Sequence, residues 1–163
     1  MTITTKLGDQ GISHWSGQSV HKDDILIETI GTLDELQAAI GLMGLDLPEV
    51  MKDMWGIMGE ISMETKYERL DERIELMENE IDQMENELPK IESFLIFQNH
   101  KSLKLNWVRT LARRAERKFV GLSKKQSFNP KLLAYVNRLS DYLFMLARKA
   151  EYDSVTGKTE KNK

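Results

Sequence analysis

The sequence predicts an all-α fold: a five-helix up-and-down bundle with a four-helix-bundle core, preceded by a glycine-rich N-terminal loop. Three observations carry the prediction. Apolar residues recur at three- and four-residue spacing in five separate segments, the connections between them are short, and no segment alternates apolar and polar residues as a strand does. A chain of 163 residues buries roughly 70% of its unfolded surface on folding, so a single domain can hold a core without covalent staples.

The elements follow in order. Residues 1–22 are polar and punctuated by Gly8, Gly11 and Gly17, which reads as a loop. Asp23 or Asp24 can cap a first helix running to about Leu45, with Ile27, Ile30, Leu33, Ala38 and Leu42 at helical spacing. Gly31 and Gly41 lie inside it, which costs propensity and suggests close packing. After an LDLP turn, Pro48 can start a second helix striped by Val50, Met54, Ile57, Met58 and Ile61; whether it continues through Lys66 is left open. Leu70, Ile74, Met77, Ile81, Met84 and Leu88 step by four and three along a third, amphipathic helix that Pro89 stops. Phe94 to Phe97 are four consecutive apolar residues and read as a short extended or buried connection. A fourth helix is expected from about Lys101 to Leu122, with Leu105, Val108, Ala112, Ala115 and Phe119 inward. A fifth starts at Asn129-Pro130 and ends near Glu151, with Leu133, Val136, Leu139, Leu143 and Leu146 along one side. The expected domain is 1–151, with 152–163 a disordered tail.

Composition narrows the function. The absence of cysteine excludes disulfides, thiolate metal sites and thiol catalysis, and fits a reducing, cytoplasmic compartment. No signal-peptide apolar region follows Met1 and no 18-residue apolar run occurs, so no membrane association is expected. A net charge of −3 argues against nucleic acid as a partner. His14, His21 and His100 lack metal-site spacing, so no protein metal site is expected. Charge is nevertheless segregated: Glu64 to Glu92 is acidic, while Lys101 to Lys125 is basic with Glu116 as its only carboxylate.

On the fourth helix, Arg109, Arg113, Glu116 and Arg117 fall at i, i+4, i+7 and i+8 and share one face, flanked by Arg114 and Lys118. Such a face is ordinarily just solvated, but clustered guanidiniums repel one another unless an anion sits between them, and the planar fork suits phosphate. The N-terminal loop suits the same ligand. Glycines at 8, 11 and 17 let backbone N–H groups approach an anion, with Lys6 and Lys22 supplying charge. Neither GxxxxGK[ST] nor GxGxxG is present. Asp34 and Glu35 on the first helix are placed so that one acid could face inward. On the fifth, Asn137 and Asp141 are four apart with Arg138 and Tyr142 alongside.

Five blocks, TKLGDQG, HKDD at 21–24, GTLDELQAAIG at 31–41, RTLARRAERKFVGLS at 109–123 and NRLSDYLFMLAR at 137–148, occur in the order found in one family. Together they make the chain resemble the PduO-type ATP:cob(I)alamin adenosyltransferases from Thr5 to Arg148. The resemblance implies a homotrimer of helical bundles that transfers the 5′-deoxyadenosyl group of ATP to the cobalt of cob(I)alamin and releases triphosphate, with Mg2+. It implies nucleotide contacts from the loop 1–22, at Thr5, Lys6, Gly8, Asp9, Gly11, Ser13 and Lys22, and from the helices at Arg113, Arg114, Glu116, Arg117 and Asn137. It further implies a pair between Asp34 and Arg109 that joins subunits and orders the site. Phe94, with Phe97 close by, matches an apolar wall that displaces the lower axial ligand of the corrinoid. A flavoprotein reductase or a cobalamin-dependent enzyme would be a transient partner. The chain departs from the family pattern in FLIFQN, which lacks a Pro-Gly-Gly, in Asn106, where a His is usual, and around His14-Trp15. Two other readings compete: a non-catalytic relative that binds ATP or a corrinoid as carrier or sensor, and a helical interaction protein whose acidic third and basic fourth helices pair between subunits.

Overall fold

A computed structural model describes residues 4, 6, 8–15, 17–63 and 65–157. Among these are a two-stranded hairpin, β1 (Ile12–Trp15) and β2 (Gln18–His21), followed by helices α1 (Ile25–Leu42), α2 (Pro48–Met63), α3 (Leu70–Glu87), α4 (His100–Ser123) and α5 (Pro130–Thr156). Local chemistry sets the starts. The Asp24 carboxylate accepts from the Leu26 N–H at 2.8 Å, Asn99 Oδ1 from the Lys101 N–H at 2.8 Å, and Asn129 Oδ1 from the Lys131 N–H at 3.1 Å, with Pro130 in the first turn.

Interhelical partners show that the helices alternate in direction. Glu28 and Glu35 of α1 meet Lys118 and Arg114 of α4, numbers that rise on one helix and fall on the other, so α1 and α4 are antiparallel. Glu116 to Asn137 and Ser102 to Glu151 show the same for α4 and α5. Asp71 to Lys131 and Glu78 to Arg138 rise together, so α3 runs parallel to α5. Helix α4 packs between α1 and α5, α3 covers another side of α5, and α2 lies beside α1. Leu33, Leu36 and Ile40 of α1, Met54 and Ile57 of α2, Val108, Ala112, Ala115 and Phe119 of α4, and Leu132, Tyr135, Leu139 and Leu143 of α5 have no exposed surface; on α1 the inward face therefore runs through Leu36 and Ile40 rather than the expected Ala38 and Leu42, which are exposed. Each large side chain so buried stabilises the fold by about 1.5–3 kcal/mol.

The structure corrects several expectations. Two short strands, Ile12–Trp15 and Gln18–His21, form a hairpin where loop was expected, because Gly17 at φ 79° lets the chain reverse and the strands pair Ile12 with His21 through Trp15 with Gln18. Helix α1 ends at Leu42, three residues early: Gly44 adopts φ 62°, and the Gly44 and Leu45 N–H groups donate to the carbonyls of Gly41 and Ile40, closing a Schellman turn. Helix α2 stops at Met63. Helix α5 continues past Glu151 to Thr156, where Gly157 at φ 71° ends it, so residues 152–156 are helical; residues 158–163 lie outside the described set. The stretch from Phe94 is irregular and largely exposed rather than buried, with Phe94 96% and Ile96 75% exposed. Within the chain, part of the acidic face of α3 is engaged by α5: Lys131, Arg138 and Tyr142 bind Asp71, Glu78 and Glu80.

One buried polar centre was not legible in the sequence. The Asp53 carboxylate on α2 has no exposed surface and accepts from Tyr67 Oη at 2.6 Å, Arg73 Nε at 2.7 Å and Tyr135 Oη at 2.7 Å. It ties α2, the turn before α3, α3 itself and α5 at one point. Gly56 makes room for this arrangement, since a Cβ there would lie 2.3 Å from the Tyr67 ring.

Candidate functional site

The loop residues expected to hold a nucleotide form one compact unit. The Gly11 N–H donates to the Gly8 carbonyl at 3.2 Å, the Lys22 N–H to the Gly11 carbonyl at 2.9 Å, and Lys22 Nζ to the Gly8 carbonyl at 2.8 Å. The strand pair β1–β2 returns the chain so that Lys22 arches over the turn. A side chain at Gly8 would press on the Lys22 ammonium, because its Cβ would lie 2.8 Å from Nζ. Lys6 holds φ 59° and its carbonyl accepts from the Asp9 N–H at 3.3 Å. Asp9 and Gly11 are exposed, and Ser13 sits half-buried in β1 opposite Val20. Thr5 lies outside the described residues.

The second unit lies on α4. One flank is neutralised by α1, where Arg114 pairs with Glu35 and Lys118 Nζ lies 2.8 Å from Glu28. The other flank meets α5, where Glu116 Oε1 accepts from Asn137 Nδ2 at 2.8 Å. Between the flanks, Arg113 and Arg117 are exposed and have no ion pair or hydrogen bond among the described residues. Arg109 is half-buried: its Nε donates to Asn106 Oδ1 at 2.9 Å, and its guanidinium stands 5.9 Å from the centre of the Phe144 ring. Burial, and then the charge of Arg113, push Arg109 below the ordinary arginine value. Arg113 and Arg117 therefore stand on this ridge with Glu116 as the one carboxylate beside them and with no ion pair of their own among the described residues, an arrangement that an oligophosphate satisfies.

Asp34 is exposed on α1 and makes no bond among the described residues, while Arg109 turns toward Phe144 on α5, so the expected Asp34–Arg109 pair does not form within one chain. No hydrogen bond or ion pair joins the loop unit to the arginine ridge among the described residues. On the far side of Arg109, Phe97 packs edge-on against Phe144 with centroids 6.3 Å apart, and Arg148 lies 6.0 Å from the centre of that ring. A cavity of about 490 Å3 opens there between the 88–97 segment and α5, lined by Leu88, Ile91, Leu95, Phe97, Tyr152 and Val155. Phe94 projects into solvent beside it.

Nothing in the sequence marks Asn106 as the partner of Arg109, or Phe144 as the ring between two guanidiniums. Phe144 sat inside a block already singled out, but no spacing marks a ring that faces two arginines. Among the described residues no group of three His, Asp or Glu could hold a metal ion, and no helix is long and apolar enough to cross a membrane.

A family model described as cobalamin adenosyltransferase matches residues 3–150. The chain is 31% identical to a corrinoid adenosyltransferase of Bacillus subtilis, an alignment covering 98% of this chain and 92% of that protein. It is 33% identical to the corrinoid adenosyltransferase PduO of Citrobacter freundii over 94% of this chain, and spans about half of that relative, 51%. A solved variant of a PduO-type ATP:corrinoid adenosyltransferase from Lactobacillus reuteri, complexed with cobalamin and ATP, superposes with a TM-score of 0.84 at 26% identity, covering 94% of this chain and 93% of that one.

Proposed function

The chain belongs to the cobalamin adenosyltransferase family, and from that premise we propose that it transfers the 5′-deoxyadenosyl group of ATP to the cobalt of cob(I)alamin, releasing triphosphate. The observation that carries the proposal is the pair of exposed guanidiniums, Arg113 and Arg117 on α4, that have no ion pair among the described residues, beside the bonded pair Glu116–Asn137. The cobalt electron pair attacks the 5′ carbon, the bond from that carbon to the phosphate oxygen breaks, and its electrons leave with the triphosphate. Cob(I)alamin is already a strong nucleophile, so the protein needs no general base at the reacting atoms. Its work is to hold the nucleotide in line and to stabilise charge on the leaving group.

In this reading Arg113 and Arg117 bind phosphate oxygens through their planar forks, and the turn that Gly8 and Gly11 make possible, with Lys6 and Lys22, closes over the phosphates from the loop. Thr5, Asp9 and Ser13 complete the loop's contacts. Arg114 joins the site by exchanging Glu35 for phosphate, and Glu116 and Asn137 act as one bonded unit toward the ribose and phosphate. Mg2+ comes with the triphosphate and neutralises part of its charge. Glu116 is the carboxylate on that face able to hold it. Phe94 and Phe97 face the corrinoid.

The assembly we propose is a homotrimer, with the site completed at each interface. Asp34 and Arg109 lack each other within one chain and would pair across it. Exposed Leu42, Leu103 and Trp107, at 84%, 47% and 54%, supply apolar area on the α1–α4 side for burial. We place the protein in the cytoplasm, as a single domain, and infer a flavoprotein reductase or a cobalamin-dependent enzyme as its transient partner. Anaerobic incubation with ATP, Mg2+ and cob(I)alamin replaces the cob(I)alamin spectrum with that of adenosylcobalamin. No product above the protein-free control refutes the proposal, and ATP binding that persists without turnover favours a carrier or sensor instead.

A further inference from the structure

We propose that Glu151 is a positioning residue for the corrinoid side of the site, because it fixes the rear anchor of the segment that presents Phe94. The inference rests on the adenosyltransferase reading and adds a residue to it. One carboxylate oxygen, Glu151 Oε2, accepts from the Gln98 N–H at 3.0 Å, the Asn99 N–H at 2.9 Å and the Ser102 hydroxyl. Ser102 is fully buried and Asn99 is the N-cap of α4, so three donors at the start of that helix converge on a single α5 side chain. Glu151 has no ion pair among the described residues, and these bonds hold its carboxyl below the usual carboxylate range despite the opposing effect of burial.

The segment has a front anchor as well. Arg148, one turn earlier on α5, donates from Nη2 to the Pro89 carbonyl at 2.7 Å. Between Pro89 and Gln98 the chain forms neither helix nor strand. Its side chains at Ile91, Phe94 and Ile96 are 49%, 96% and 75% exposed, while Phe97 alone packs inward on Phe144. An apolar wall held out in water is useful only if it waits where a ligand lands, since a free segment meets the cost of ordering at the moment of binding. Phe94 lies four residues before Gln98 and five after Pro89, so the Glu151 anchor is the nearer control on its position. Glu151 is itself only part-buried and the N-cap of α4 is made by Asn99, so α4 keeps its own start without this carboxylate.

Steady-state kinetics of Glu151→Ala and Glu151→Gln, with cob(I)alamin and ATP varied separately, tests the assignment. The expected result for Glu151→Ala is a KM for cob(I)alamin raised roughly tenfold, with the KM for ATP within about twofold of the parent and an unchanged helical circular-dichroism spectrum. Glu151→Gln, which keeps one acceptor oxygen, falls between the two and carries the comparison if the alanine variant does not fold. An unchanged corrinoid KM in a variant that turns over overturns the inference, as does a parallel rise of both KM values. A parent protein that makes no adenosylcobalamin refutes the functional reading instead. In that case amide exchange at Gln98 and Asn99 still decides the anchoring: faster exchange in Glu151→Gln upholds it, and equal exchange overturns it.

Discussion

Replacing Asp53 by Ala removes the one acceptor shared by three donors in the middle of the bundle. The Arg73 side chain, 11% exposed, is left as an almost buried guanidinium without its carboxylate, and Tyr135 Oη, on a residue with no exposed surface, loses its acceptor. Breaking a buried pair by removing one partner costs about 3–5 kcal/mol, much of it from the charge left behind. Against a total of about 5–15 kcal/mol this is a large fraction of the stability. Urea unfolding followed by circular dichroism should show the midpoint falling by about 2 M at a slope near 2 kcal/mol/M. The double variant Asp53→Leu/Arg73→Met exchanges the whole pair for apolar groups and should recover most of the loss. A loss below about 1 kcal/mol for Asp53→Ala, or a double variant no better than the sum of the singles, would refute the reasoning that the pair is coupled through burial.

Four further outcomes are expected. Arg113→Ala lowers kcat/KM for ATP roughly a hundredfold, while leaving the unfolding midpoint unchanged because the side chain is exposed; an equal effect on turnover and stability contradicts it. Gly56→Ala drives a Cβ to within 2.3 Å of the Tyr67 ring and destabilises the protein by about 1–3 kcal/mol, whereas an open site would gain stability from the better helix former. Burial raises Tyr135 first of all, and Tyr67 and Tyr142 likewise, above the ordinary tyrosine value of 10.0. Up to that pH both states hold these protons and the stabilisation is complete; at higher pH the unfolded chain releases them first, so stability falls as pH rises toward the native values. Tyr135 alone contributes a slope of about 1.4 kcal/mol per pH unit, and a flat stability profile above pH 10 opposes it. Finally, ATP with Mg2+ slows tryptic cleavage after Lys6 and Lys22, and equal cleavage with and without nucleotide counts against a loop that closes over phosphate.

The five helices could be read in the sequence because each carries a stripe of period 3.6 and a stop or start signal, such as Asp24, Pro48, Pro89 or Asn129. The hairpin could not, since its strands are four residues long and mostly polar, and Gly17 was the one mark it left. Asp53 reads as an ordinary helix acid; its burial depends on Tyr67, Arg73 and Tyr135 arriving from three other places in the chain. The arginine face on α4 was legible from spacing alone, yet spacing does not reveal that Arg114 is engaged by Glu35 while Arg113 and Arg117 are not. Glu151 gave no signal either, because a carboxylate that binds backbone amides looks no different in sequence from one that faces water.

The most direct test of the account is product stoichiometry in a single anaerobic turnover with ATP, Mg2+ and cob(I)alamin. The account predicts one intact triphosphate for each adenosylcobalamin formed, and none of either with Arg113→Ala on the same timescale. Adenosylcobalamin absent from the parent reaction, or ATP consumed to ADP and phosphate without a cobalt–carbon bond, would contradict it.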